Sequence, residues 1–175
     1  MTRTDHRIIS IEAIRSNLEA GREVRLHING NSMSPWLIQG DVVIVREVKP
    51  VQSMLGDILV ICRGEDLVTH RLVAIDANGW YTKGDSLSQI DPPVPAKAIL
   101  GRVDAVERNG SIQDLHNTRL KNIHRMIGWL SLQEGLAHRR YEGLKGDRPA
   151  GKFWVGTILS TPFRLPIWLL AVFRR

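Results

Sequence analysis

A chain of 175 residues has room for one real core, and its 43% hydrophobic and 24% charged side chains exclude wholesale disorder. The single cysteine, Cys62, excludes an intrachain disulfide framework and every zinc site that needs two or more thiolates. The net charge of +6 is unevenly placed: residues 119–175 hold eleven Lys or Arg against three acids, so all the excess positive charge lies in the last third.

In chain order, the first 21 residues are too polar for a signal peptide or a membrane anchor. The expected location is therefore cytoplasmic, or peripheral at a membrane. Ser10 can cap a short amphipathic helix in which Ile11, Ile14 and Leu18 share one face and Gly21 ends the turn. Val24, Leu26 and Ile28 then alternate with polar residues, as in a half-buried strand. Val42–Val45, Ile58–Ile61 and Leu72–Ile75 are short β-branched runs between turn signals, and Cys62, directly after the second, reads as a small buried hydrophobe. Gly79–Thr82 and Ile99–Val106 add two strands, with a hairpin at Asn109-Gly110 leading into Ser111–Leu115. Asp91-Pro-Pro-Val-Pro95 cannot pair in a central strand and must be loop.

Beyond residue 116 the period becomes helical: Leu120, Ile123, Ile127 and Leu130 recur at helix spacing as far as Tyr141. Gly143 to Gly151 reads as a linker. Phe153–Phe173 is strongly apolar and long enough to cross a bilayer, but Pro162, Arg164 and Pro166 favour an interfacial or partner-packed helix pair over a clean span. This tail interleaves cations with Trp129, Tyr141, Trp154, Phe163 and Trp168. Such a pattern suits packing on the β core or an anionic membrane surface, through residues 153–175, better than nucleic acid. The chain therefore divides into an N-terminal amphipathic helix (1–22), a β domain (23–115) and a basic, partly apolar helical extension (116–175).

Three chemically capable side-chain types stand in order within the β region. Ser32 lies in the loop Asn29-Gly-Asn-Ser-Met-Ser-Pro35, His70 in Leu67–Val73, and Asp85 and Asp91 in Lys83-Gly-Asp-Ser-Leu-Ser-Gln-Ile-Asp91. A serine hydroxyl needs a base within reach, an imidazole suits that role near neutral pH, and a carboxylate can fix the imidazole's tautomer. Each element alone has a plainer reading: a serine in an Asn/Gly/Pro loop is usually a turn residue, and Gly-Asp pairs are ordinary turns.

Together they resemble the boxes of the signal peptidase family, within the superfamily that also holds the self-cleaving repressors. Gly30-Asn-Ser-Met-Ser-Pro35 with Gly40-Asp41 is similar to the nucleophile box, and Thr69-His-Arg-Leu-Val73 to the base box, with His70 where many members have lysine. That histidine, with Lys83-Gly-Asp85 and Asp91, resembles the archaeal and endoplasmic-reticulum branch. The resemblance covers roughly residues 22–108. It implies a mainly β fold of the signal-peptidase and repressor-protease kind, and a serine endopeptidase cutting a leader, signal or precursor peptide. It assigns Ser32 as nucleophile, His70 as base and Asp91 as the orienting acid, with Asp85 as reserve acid or structural anchor. It also makes the Ser32 backbone N–H the natural oxyanion donor, while Gly30 leaves the family's second donor unfilled. A catalytically inactive regulator binding peptide or nucleic acid, or a membrane-associated adaptor using the basic tail, would fit the same chain.

No cofactor or metal is implied. Gly146–Lys152 has the spacing of a phosphate loop, but Phe153 replaces its magnesium-binding hydroxyl and no buried strand precedes it. His116, His124 and His138 read as solvated members of the basic tail.

Overall fold

Residues 11–145 are described by a computed structural model. Ser10, the phosphate-loop decoy and the apolar run 153–173 lie outside these residues. Helix α1 (Ile11–Glu19) turns Ile14 and Leu18, one helical turn apart, onto the sheet. Seven antiparallel strands follow: β1 (Val24–His27), β2 (Val42–Arg46), β3 (Ile58–Arg63), β4 (Asp66–Asp76), β5 (Gly79–Lys83), β6 (Ile99–Arg108) and β7 (Ser111–Asp114). Their spatial order is β1-β2-β6-β3-β4-β5, with β7 pairing β6. The fold is mainly β, as the sequence suggests. Register shifts at Ile44/Val45, Val60/Ile61 and Leu72/Ala74 mark bulges, which bend and twist the sheet.

The sheet is buried on both faces. Ile58 and Val60 join Val43, Val45 and Leu100 in one apolar cluster, while Leu59 and Ile61 join Leu72, Val94 and Ile99 in another. An unbroken apolar run such as Ile58–Ile61 is what a strand covered on both sides requires. Each aliphatic side chain buried this way contributes roughly 1.5–3 kcal/mol. At the Asn109-Gly110 turn both residues take positive φ, +52° and +76°. Those angles match the twist of the flanking strands β6 and β7.

Two boundaries differ from the sequence reading. Strand β4 begins at Asp66, because the turn after Arg63 pairs it with β3 from Arg63↔Asp66 to Ile58↔Arg71. His70 is therefore in mid-strand rather than beside a strand start. Helix α2 (Thr118–Lys145) runs through Gly143, where a linker was expected. One glycine costs a helix about 1 kcal/mol, which the helix formers around it offset.

Helix α2 is capped by Asn117, whose side-chain oxygen accepts the Leu120 N–H at 2.9 Å. Its Leu120 and Ile127 enter the first apolar cluster. It approaches so closely that a Cβ on Gly56 would lie 2.3 Å from the His124 carbonyl oxygen, and one on Gly128 2.9 Å from Gly56 Cα. Two polar clasps complete the contact. Lys83 Nζ on β5 donates to Glu134 at 2.7 Å, with both side chains at most 1% exposed. Arg71 on β4 donates to His124 Nδ1 at 2.7 Å, and the His124 ring tilts against Trp36 with centroids 4.6 Å apart. His124 is thus buried, not solvated as the sequence suggested; its partner lies 53 residues away in sequence. Among the described residues, no helix is long and apolar enough to cross a membrane.

Removing one partner of a buried ion pair strands the other charge in a dry site. Lys83→Met should therefore cost about 3–5 kcal/mol in urea unfolding, and Lys83→Met/Glu134→Leu should recover most of that loss. Equal destabilisation in the single and double variants would show that the pair is not the clasp.

Candidate functional site

The loop between β1 and β2 is pinched at its neck, where Ile28 N–H donates to Asp41 O and Gly40 N–H to Ile28 O, each at 2.9 Å. Asp41 accepts the Ile38 N–H at 2.9 Å and two bonds from Arg108 at 2.7 and 2.6 Å. Those bonds and its own charge hold Arg108 above its ordinary value. Met33, Trp36 and Leu37 are buried from within the loop, and the Ser34–Pro35 peptide is cis. A loop held at its neck and by its side chains presents Ser32 in one place.

Residues opposite each other in an antiparallel ladder share a face. His70, opposite Leu59, faces the second apolar cluster, while Arg71, opposite Ile58, faces α2. His70 Nε2 lies 3.1 Å from Ser32 Oγ, and His70 Nδ1 lies 2.6 Å from Asp91 Oδ2. An ionised carboxylate only accepts, so Nδ1–H donates to Asp91. In the neutral ring Nε2 is then the acceptor, able to take the Ser32 hydroxyl proton.

Asp91 is itself held in place. Its N–H donates to Thr82 O at 2.8 Å, and Thr82 Oγ1 donates to Oδ2 at 2.7 Å. Arg63 lies 3.4 Å from the same oxygen. Burial opposes the charge on Asp91, but the His70 hydrogen bond and charge, the Thr82 hydroxyl and the Arg63 guanidinium outweigh it. The carboxyl is held below its ordinary value.

Asp85 is placed elsewhere. Both its oxygens accept from Arg71, at 2.8 and 2.6 Å, in a fully buried bidentate pair. The next residue, Ser86, reaches back to the serine loop: its Oγ donates to Asn31 O at 2.8 Å or Ser32 O at 3.0 Å, and its N–H to Ser32 O at 2.9 Å. Gly84 allows this approach, since a Cβ there would lie 2.7 Å from Ser32 O. The Asn31 carbonyl shares a peptide plane with the Ser32 N–H, so Ser86 also fixes the direction of that donor. Among the described residues the Ser32 N–H makes no hydrogen bond.

The structure thus gathers Ser32, His70 and Asp91 and sets Asp85 on Arg71. Sequence reading missed Thr82, Arg63 and Ser86. Strand alternation could have flagged Thr82, which pairs with Leu72 and so shares the face of His70. Nothing local marks Arg63 or Ser86. Among the described residues, no group of three or more His, Cys, Asp or Glu could hold a metal ion.

No family model matches the chain. It is similar to proteins named "Inactive signal peptidase IA" in Staphylococcus aureus, strains COL and MW2 among them, at 35% identity over 77 residues. That match covers 43% of this chain and 44% of each relative, so the chain spans less than half the length of the curated relatives it matches.

A carboxyl whose folded value lies below its unfolded value, about 3.9, stabilises the fold above that pH. The contribution is lost as pH falls through the lowered folded value. Asp91→Asn should therefore melt below wild type near neutral pH, with the gap closing as pH falls below about 4. Melting curves from neutral pH to pH ~2.5 test this, and a gap that widens on acidification would remove Asp91's charge from the account.

Proposed function

We propose that the chain is a serine endopeptidase of the signal-peptidase-like kind that cuts a leader, signal or precursor peptide. The observation that carries this reading is the unbroken hydrogen-bonded line Ser32–His70–Asp91, at 3.1 and 2.6 Å. Ser32 Oγ attacks the scissile carbonyl as His70 Nε2 takes its proton, giving a tetrahedral intermediate and then an acyl-enzyme. His70 returns that proton to the leaving amine and later draws one from the hydrolytic water. Asp91 keeps Nδ1 protonated and stabilises the imidazolium. The Ser32 N–H, aimed through Ser86, is the oxyanion donor. Asp85 serves the scaffold as the counter-ion of Arg71. Histidine as the base relates the chain to the archaeal and endoplasmic-reticulum branch.

The relatives' name favours a second reading: a catalytically silent protein that uses the same site to hold a peptide. Incubation with a mixed pool of precursor peptides, read by mass spectrometry for new termini, separates the two. Cleavage should fall roughly 10³-fold or more in either Ser32→Ala or His70→Ala, and no further in the double variant, because such residues act as a unit. Cleavage that survives both changes would reject the mechanism, and peptide capture without cleavage by wild type would support the second reading. Asp91→Asn should lower kcat roughly 10³–10⁴-fold, whereas Asp85→Asn should act mainly on stability, costing about 3–5 kcal/mol by stranding Arg71. Ser86→Ala should lower kcat by roughly tenfold or more with little change in KM, since an oxyanion donor acts on the transition state.

A further inference from the structure

The outer face of α2 is at odds with an ordinary solvated helix. Met126, Trp129 and Leu136 fall on one arc of it and are 44%, 58% and 43% exposed. Arg125, Arg139 and Arg140 are exposed around them, and the only acid among the described side chains of α2, Glu134, is buried against Lys83 on the opposite side. Every charge this face presents, among those side chains, is therefore positive. The apolar patch continues onto the β2–β3 connection, where Met54 and Leu55 are exposed and line one cavity with Lys121 and Arg125. Val51, on the preceding 3-10 turn (Pro50–Gln52), is more exposed still.

We propose that this face, formed by α2 and the β2–β3 connection, is a docking surface for an anionic lipid bilayer. A large aromatic, a methionine and a leucine within a ring of arginines match both layers of such a surface: rings and aliphatics enter the headgroup boundary, and guanidinium groups meet lipid phosphates. Nucleic acid would use the arginines but leave Met126, Leu136, Met54 and Leu55 without a partner, since aliphatic groups give bases nothing to stack on. Along the chain, the apolar and cationic sequence of residues 153–175 continues the same chemistry. The docking itself does not depend on the peptidase reading.

The full-length chain would be mixed with vesicles of phosphatidylcholine containing about a third phosphatidylglycerol, with binding read by sedimentation and by the shift in tryptophan emission. Wild type should bind these vesicles, bind neutral ones far less, and release as salt rises. Trp129→Ser/Leu136→Ser should weaken binding roughly tenfold or more. Arg125→Gln/Arg139→Gln/Arg140→Gln should weaken it by roughly fivefold per charge removed. All five positions are exposed, so both variants should keep the wild-type melting temperature. Wild-type affinity in both variants would overturn the proposal and place any binding on the rest of the chain. Absence of wild-type binding would overturn it outright. Tight binding to duplex DNA that only the arginine variant loses, with vesicle binding unchanged in the serine variant, would reassign the face to nucleic acid.

Discussion

Arg71 is a permanent charge with no solvent at all, and much of the molecule is arranged around that fact. A guanidinium cannot shed its proton, so burial is tolerable only if its donors are met. Here Nε and Nη2 go to the two Asp85 oxygens and Nη1 to Gly56 O and His124 Nδ1, with the guanidinium 5.9 Å from the Trp36 ring centre. Each partner belongs to a different part of the chain: the turn after β5, the turn before β3, helix α2 and the serine loop. One side chain therefore ties four segments together, and the Gly56–Gly128 contact is close enough for helix and sheet to reach it at once.

The candidate site follows from the residue beside it. In a strand, successive side chains point to opposite faces, so the constraint that fixes Arg71 toward α2 also fixes His70 away from it. A one-residue slip of β4 would bury the imidazole against α2 and expel the arginine. The same economy operates at Lys83-Gly-Asp-Ser86. Lys83 reaches Glu134, Asp85 reaches Arg71, Gly84 makes room for the serine loop, and Ser86 holds that loop's peptide planes. Thr82, just before them, holds Asp91. Five consecutive residues thus serve as scaffold, spacer and positioning group in turn.

What could be read from the residues alone was whatever has a local period or a local turn. The β-branched runs, the Asn109-Gly110 hairpin and the Ile14/Leu18 face of α1 all carry their signal within a few positions. The order of Ser32, His70 and Asp91 was legible too, although no spacing could say that they meet. What stayed hidden depends on partners distant in sequence. Thr69-His70-Arg71 interrupts the apolar pattern of β4, so the strand's first half was invisible without its ladder to β3. His124 looked like a surface residue, and nothing marked Glu134, because Arg71 and Lys83, which pair with them, lie more than 50 positions away. Asp85 and Asp91 could not be told apart by type; the arginine facing one and the imidazole facing the other separate them in space.

That separation bears on how likeness to other proteins is to be weighed. The contacts that hold this scaffold—Arg71 with Asp85, Arg108 with Asp41, Lys83 with Glu134—are distinct from the line Ser32–His70–Asp91. A chain could keep every one of the former and lose Ser32 without unfolding, because among the described residues Ser32 Oγ makes a single hydrogen bond and supports no buried charge. Likeness over part of such a chain therefore reports on the scaffold and is silent on chemistry. A relative named inactive and a chain with an intact hydrogen-bonded line are physically compatible on one fold. Whether bonds are cut is decided by the few atoms of that line, so it has to be argued from those atoms in each chain separately.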